Sequence, residues 1–251
     1  MLFHSQNRLV KKSLRGHPGS GVAVCFSGFL RTFHATWPVF NDRMGDYNPD
    51  IFISTWDVLG HAHYKHSTGR EGEKSITPEI LDQHYGERLK GFSIRKMGEN
   101  VLPPWIMAGD YDLKPPMDRV ASMYYHIFAA NELRTRFEQT HRHQYQIVIR
   151  CRPDIILETD AAHWINGAEY AQRAVNVPYK EDYGIVNDQM MYGRPEPMNI
   201  VADLFNAMYR KHPSGVMTSR TPILPSEALL KHYMDYHGIA WQPFRVLYHR
   251  T

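Results

Sequence analysis

The sequence predicts a single α/β domain with a mostly parallel central sheet flanked by helices, and three observations lead there. Two apolar strand-like runs, Gly21–Phe26 (GVAVCF) and Asp50–Thr55 (DIFIST), bracket Trp37, Phe40 and Met44 at helical spacing, the pattern of a βαβ crossover. A third apolar stretch, Tyr145–Leu157, follows the clearest helix in the chain. The 251 residues contain no internal repeat, low-complexity tract or dividing linker, which suits one core.

In chain order, residues 1–20 form a basic arm with Arg8, Lys11, Lys12 and Arg15 and no acid, either solvated or touching an anionic membrane. The domain proper spans residues 21–251. Gly21–Phe26 is continuously apolar and β-branched, as a buried strand is, and ends in the turn-forming pair Ser27-Gly28. Asp50–Thr55 repeats that character and ends in Trp56-Asp57. From Val58 to Pro116 the pattern weakens into a loop-rich region. Within it Thr77-Pro78-Glu79 marks a short helix: a cap, a proline in the first turn, then an acid. Ile80, Leu81 and Leu89 are expected on its buried side. After Pro115-Pro116, Asp118 is a candidate cap for a long helix striped by Val120, Met123, Ile127, Ala130, Leu133 and Phe137. Tyr183–Tyr192 reads as short strands around Asn187-Asp188-Gln189. A helix follows with Met198, Val201, Phe205 and Met208 on one face. A last helix starts after Pro225 with Ser226 as cap and ends near Gly238, and Phe244–Tyr248 is a closing strand.

Composition excludes some classes. A formal charge of +3 is too mild for a nucleic-acid surface, and no basic stripe interleaved with aromatics occurs. No run approaches the roughly 18 apolar residues of a spanning helix, and the apolar block of a signal peptide is missing, so the expectation is cytoplasmic, with the arm either solvated or in peripheral contact with a membrane. Cys25 and Cys151 lie in apolar runs without metal-type spacing and are expected as reduced core residues.

Ligands of open α/β sheets bind beyond the carboxyl ends of the strands. That rule selects Ser27, Gly28 and Arg31 after the first strand, Thr55, Trp56 and Asp57 after the second, Arg152 and Asp154 in the third, and Asp188 and Gln189 later. Ser27-Gly28 permits close backbone approach and Arg31 can fork onto a phosphate, or the pair is a plain turn beside a surface arginine. Arg150, Arg152 and Asp154 alternate along the run IVIRCRPDIIL and share a side if the strand stays extended up to Pro153. Burying such charges costs several kcal/mol unless they pair or meet a charged ligand, so they are a donor site or a structural ion pair. Asp188 is either a catalytic carboxylate or a turn aspartate; Glu227, in a first helical turn, is either a second base or a favourable dipole partner. His61, His63 and His66 (HAHYKH) lack carboxylate or cysteine companions and read as a solvated loop.

Several stretches together resemble a family of GT-A-type glycosyltransferases from bacterial and viral surface-polysaccharide gene sets: SGFLRTF at 27–33, DIFISTW at 50–56, ASMYYHIFAANEL at 121–133, YQIVIRCRPDIIL at 145–157, NDQMMYG at 187–193 and SEALLKHY at 226–233. The resemblance implies a Rossmann-type GT-A fold, a nucleotide-sugar donor and a glycan or lipid-linked acceptor. It implies donor contacts from SGFLR, from Thr55 and Trp56, and from Ser122 on the long helix. It also places the RPD segment where many GT-A enzymes carry a DxD motif for Mn2+ or Mg2+. Arg152 stands at the first Asp position, and only Asp154 remains as a metal ligand. An arginine can neutralise a departing diphosphate as a cation does, so metal-independent chemistry through Arg150 or Arg152 is an open expectation. For an inverting reaction Asp188 is the first candidate base and Glu227 the second. The competing functions are a catalytically idle nucleotide-sugar or glycan binder of the same fold and a sugar-phosphate nucleotidyltransferase. The latter usually carries a glycine-rich basic signature after its first strand, of which SGFLRTF is a poor version.

Overall fold

A computed structural model describes residues 9–14, 19–60, 75–99, 101, 117–165, 174–178, 186–209, 226–244 and 248–250. Its strands in chain order are β1 (Leu9–Leu14), β2 (Val22–Ser27), β3 (Asp50–Trp56), β4 (Leu89–Arg95), β5 (Ile147–Cys151), β6 (Ile155–Leu157), β7 (Ala174–Pro178), β8 (Met190–Gly193), β9 (Ala240–Phe244) and β10 (Tyr248–Arg250). The helices are α1 (Phe33–Met44), α2 (Pro78–Tyr85), α3 (Met117–His141), α4 (Ala162–Ile165), α5 (Pro195–Tyr209) and α6 (Ser226–Tyr236). Eight strands form one sheet in the order β1-β4-β3-β2-β5-β8-β7-β9, and β6 pairs with β10 apart from it. The pairings β4-β3, β3-β2, β2-β5 and β7-β9 are parallel; β1-β4, β5-β8 and β8-β7 are antiparallel. The α/β architecture with a mostly parallel sheet is therefore observed.

Two apolar layers cover the sheet. Ala23, Cys25 and Phe52 face α3, α5 and α6 through Tyr124, Ile127, Leu133, Phe137, Leu204 and Leu230. Val24, Phe26, Ile51 and Ile53 face the other way, onto Phe33, Trp37, Phe40, Leu81 and Tyr85. The alternation along β2 and β3 is the period of two of a pleated strand, and burial on both faces explains why those runs read as continuously apolar. Burying a large apolar side chain contributes roughly 1.5–3 kcal/mol, so these layers dominate the fold's stability. Both cysteines are buried and free, and burial pushes each thiol up to about 12, so they are inert core groups at neutral pH.

Local signals were accurate where they were strong. Thr77 caps α2 through its hydroxyl, which accepts the Ile80 N–H, with Pro78 at the first turn. The stripe of α3 is buried along its length, with Met123 half-buried at the margin, and Met198, Val201, Phe205 and Met208 of α5 face the core. Other expectations are corrected. Leu89 belongs to β4 rather than to the α2 face, and LKGFSIR is a fully buried strand inside the supposed loop region. Lys90 and Arg95 hid it, because a strand with cations at both ends does not read as core. Asp118 falls inside α3, whose first described residue is Met117. Tyr145–Leu157 is not one strand: β5 stops at Cys151, the chain turns at Pro153-Asp154, and β6 leaves for β10. Proline has no N–H for a ladder and imposes that break. Leu9–Leu14 of the basic arm joins the sheet as an edge strand on β4. Of the expected closing strand, Phe244 ends β9 and Tyr248 begins β10, and residues 245–247 lie outside the described residues. His61, His63 and His66, together with residues 183–185 and Pro225, lie outside the described residues.

Candidate functional site

β2 is the pivot of the sheet. After it the chain adds β3 and then β4 on one side, then crosses by way of α3 to place β5 on the other side of β2. The strand order thus reverses between β2 and β5, and crevices of open α/β sheets form beyond the carboxyl ends at such a switch point. Ser27, Gly28 and Arg31 come from the end of β2; Arg150, Arg152 and Asp154 come from the end of β5.

These residues meet in two clusters. In the first, Asp154 is almost fully buried and holds two guanidiniums: Arg152 donates through Nε to Oδ1 at 2.9 Å and through Nη2 to Oδ2 at 2.7 Å, and Arg31 donates through Nη1 to Oδ2 at 2.6 Å. Two cations on one anion leave a net charge of +1. Burial on its own would raise the Asp154 pKa, but the hydrogen bonds and charge of Arg152, then of Arg31, outweigh it and hold the carboxyl below its ordinary value. Arg31 has φ of +47°, the left-handed region that disfavours a side chain, and its N–H donates to Leu59 O at 2.7 Å. Such strain persists only where surrounding contacts over-determine it, and here it aims the guanidinium at Asp154. Gly28, at φ of +103°, makes the turn just before, with its N–H on Ser54 O at 3.0 Å.

The second cluster is built on Arg150. It is 2% exposed and donates through Nε to Ser27 Oγ at 3.1 Å, while its Nη1 has no hydrogen-bond partner among the described residues. Burial lowers its pKa from the usual arginine value and the Asp188 carboxylate opposes that shift. Asp188 Oδ2 and Glu227 Oε2 each lie 2.9 Å from Ser226 Oγ, the hydroxyl at the start of α6. Tyr124 of α3 donates its hydroxyl to Ser226 O at 2.6 Å and so anchors that end of α6. Burial first, then the Asp188 and Glu227 charges, push the Tyr124 hydroxyl well above its ordinary pKa despite Arg150, so it is a fixed donor.

Arg150 takes a different hydrogen-bond partner from Arg152, which is held on Asp154. It joins Ser27 and the acids. The two candidate bases, 39 positions apart in sequence, do meet at one hydroxyl. The Gln189 carbonyl accepts the Arg152 N–H at 3.0 Å, and its own N–H is held by Asn187 Oδ1 at 2.9 Å. Thr55 and Trp56 are packed inside, Trp56 edge-on to His126 with centroids 4.7 Å apart. Asp57 accepts the Met97 N–H on Oδ1 at 2.7 Å, a turn-forming role. Thr55 and Trp56 thus take packing positions, and Asp57 holds a turn. Ser122 is half-buried on α3.

A divalent cation needs several oxygen or nitrogen ligands with lone pairs to spare. Both Asp154 oxygens receive guanidinium hydrogens, and among the described residues no group of three His, Cys, Asp or Glu converges. The residues present do not fit such an ion, and Asp154 acts here as an anchor for arginines instead of the expected metal ligand. Tyr124 and Ser226 escaped the sequence reading as site residues, because a tyrosine in an apolar helical stripe and a serine before a helix both look structural.

No helix among the described residues is long and apolar enough to cross a membrane. No protein-family model matches the chain, and comparison with curated proteins finds no match. Among solved structures, the chain is similar to a crystal structure described as a glucose-1-phosphate thymidylyltransferase from Bacillus anthracis in complex with sucrose, at 7% identity and a TM-score of 0.39, over 92% of this chain and 89% of that one.

Proposed function

We propose that this chain is a nucleotide-sugar-dependent glycosyltransferase of the GT-A type, transferring a sugar to a glycan or lipid-linked acceptor without obligatory Mn2+ or Mg2+. The observation that carries it is the pairing of a net-cationic Arg31–Asp154–Arg152 triad with two carboxylates, Asp188 and Glu227, at the switch point between β2 and β5. The motif resemblance over most of the chain supports the same reading.

In this mechanism Arg31 and Arg152, pre-aimed by Asp154, neutralise the charge that grows on the departing diphosphate. Fixed donors that need no reorganisation are the most effective form of such stabilisation. Arg150 supplies a further buried positive charge beside them. The acceptor hydroxyl gives its proton to Asp188, with Glu227 as the alternative base, and the single Ser226 hydroxyl hydrogen orients whichever of the two it is donated to.

A thermal-shift panel of UDP-, GDP-, CMP- and dTDP-sugars tests the donor site, since a ligand bound only by the native state raises its melting temperature. One donor class is expected to stabilise the wild type and not Arg152→Ala; absence of any shift removes the reading. Transfer is expected to persist in excess chelator, and complete chelator sensitivity rescued by manganese counts against the arginine mechanism.

A further inference from the structure

At the other end of the same strands, where β3 and β4 begin, lies a cavity of about 340 Å³ lined by Gly19, Asp50, Tyr85, Glu87, Arg88 and Lys90. That volume falls in the range of small-molecule sites. Arg88 and Lys90 face Asp50 and Glu87 in equal number, but their hydrogen bonding is unevenly satisfied. The buried Asp50 is satisfied: Oδ2 accepts the Gly19 N–H at 2.9 Å and the Tyr145 hydroxyl at 2.8 Å, and Lys90 Nζ stands 3.8 Å from Oδ1. Lys90 Nζ donates to the Glu87 carbonyl at 2.8 Å, and an ammonium has three hydrogens. Arg88 Nη1 is buried and has no hydrogen-bond partner among the described residues. Burial lowers the Arg88 pKa, with the Asp50 charge opposing.

A buried cationic N–H without an acceptor is costly, and a ligand that supplies anionic oxygen removes the cost. The guanidinium fork and a nearby ammonium are the donors that suit phosphoryl oxygens. We propose that this cavity is a second binding site, separate from the β2–β5 crevice, for a small phosphate-bearing anion held by Arg88 Nη1 and Lys90 Nζ. The cavity is roomier than a bare phosphate, so a phosphomonoester shares the chemistry with the free anion.

Isothermal titration at constant ionic strength tests the site with two probes, inorganic phosphate and glycerol 3-phosphate, on wild type, Arg88→Met, Arg88→Gln and Arg152→Ala. Saturable binding is expected in the wild type and in Arg152→Ala, and at least tenfold weaker in both Arg88 variants with unchanged circular dichroism. Tighter binding of glycerol 3-phosphate assigns an ester as ligand; equal or tighter binding of phosphate assigns the free anion. In the unmutated protein phosphate should also slow phenylglyoxal modification of Arg88, read by peptide mass. The proposal is overturned by no saturable binding of either probe, by affinity unchanged in the Arg88 variants, by weakening confined to Arg152→Ala, or by modification of Arg88 that phosphate does not slow.

Discussion

His126 makes the fold acid-sensitive in a way that can be isolated. It lies on α3 with its Nδ1 2.8 Å from Ser54 Oγ, its ring edge-on to Trp56, and its Nε2 without a hydrogen-bond partner among the described residues. Burial, reinforced by the charge of Arg95, pulls its pKa from 6.5 down to about 3. The folded protein therefore refuses a proton that the unfolded chain accepts. Between pH 6.5 and about 3 the unfolded state binds more protons, so stability falls as pH falls through that window and is unaffected above it. At pH 5 the separation from 6.5 is about 1.5 units, which at roughly 1.4 kcal/mol per unit costs about 2 kcal/mol. His126→Asn keeps an amide near the Ser54 hydroxyl and cannot titrate. Urea unfolding at pH 7.5 and pH 5 should show the wild type losing about 2 kcal/mol more than the variant over that interval. Equal losses in the two proteins would refute the assignment of a buried neutral imidazole.

Asp154→Asn should destabilise by about 3 kcal/mol in urea unfolding, because breaking a buried pair leaves Arg31 and Arg152 facing each other uncompensated; a loss under 1 kcal/mol, within the ~0–1 kcal/mol of a surface pair, would mean solvent screens them. Gly60→Ala should cost more than Gly28→Ala in melting temperature. Both have positive φ, but a Cβ at residue 60 would sit 2.7 Å from Phe29 Cδ1, whereas at residue 28 nothing lies within 4 Å. Equal costs would show that backbone strain alone decides both. Asp188→Asn should lower transfer turnover by roughly 10²–10⁴-fold while Glu227→Gln lowers it less; unchanged turnover in Asp188→Asn removes Asp188 as the base.

Arg152 and Asp154 were legible as a pair because charges interrupting an apolar run need a partner or a ligand, and the sequence shows both at once. The Arg31 half of that cluster was visible only as a residue after a strand. It is joined to Asp154 across 123 positions, and no local pattern carries such a distance. Arg150 is the sharper case, since period-two alternation put it beside Arg152, yet the one is held by Ser27 and the other by Asp154.

By itself the sequence determined what depends on nearest neighbours along the chain: the β2–α1–β3 crossover, the Thr77-Pro78 start of α2, and the apolar stripes of α3 and α5. Those signals are local, because burial periodicity and end-capping are settled within a few turns of chain. Tertiary structure alone decided the place of β4, whose cations hide its burial, and the reversal of strand order between β2 and β5 that makes the crevice. It also decided the meeting of Asp188 and Glu227 at Ser226. These depend on which strand pairs with which, a choice made by packing two whole apolar layers at once, and short-range pattern does not encode it.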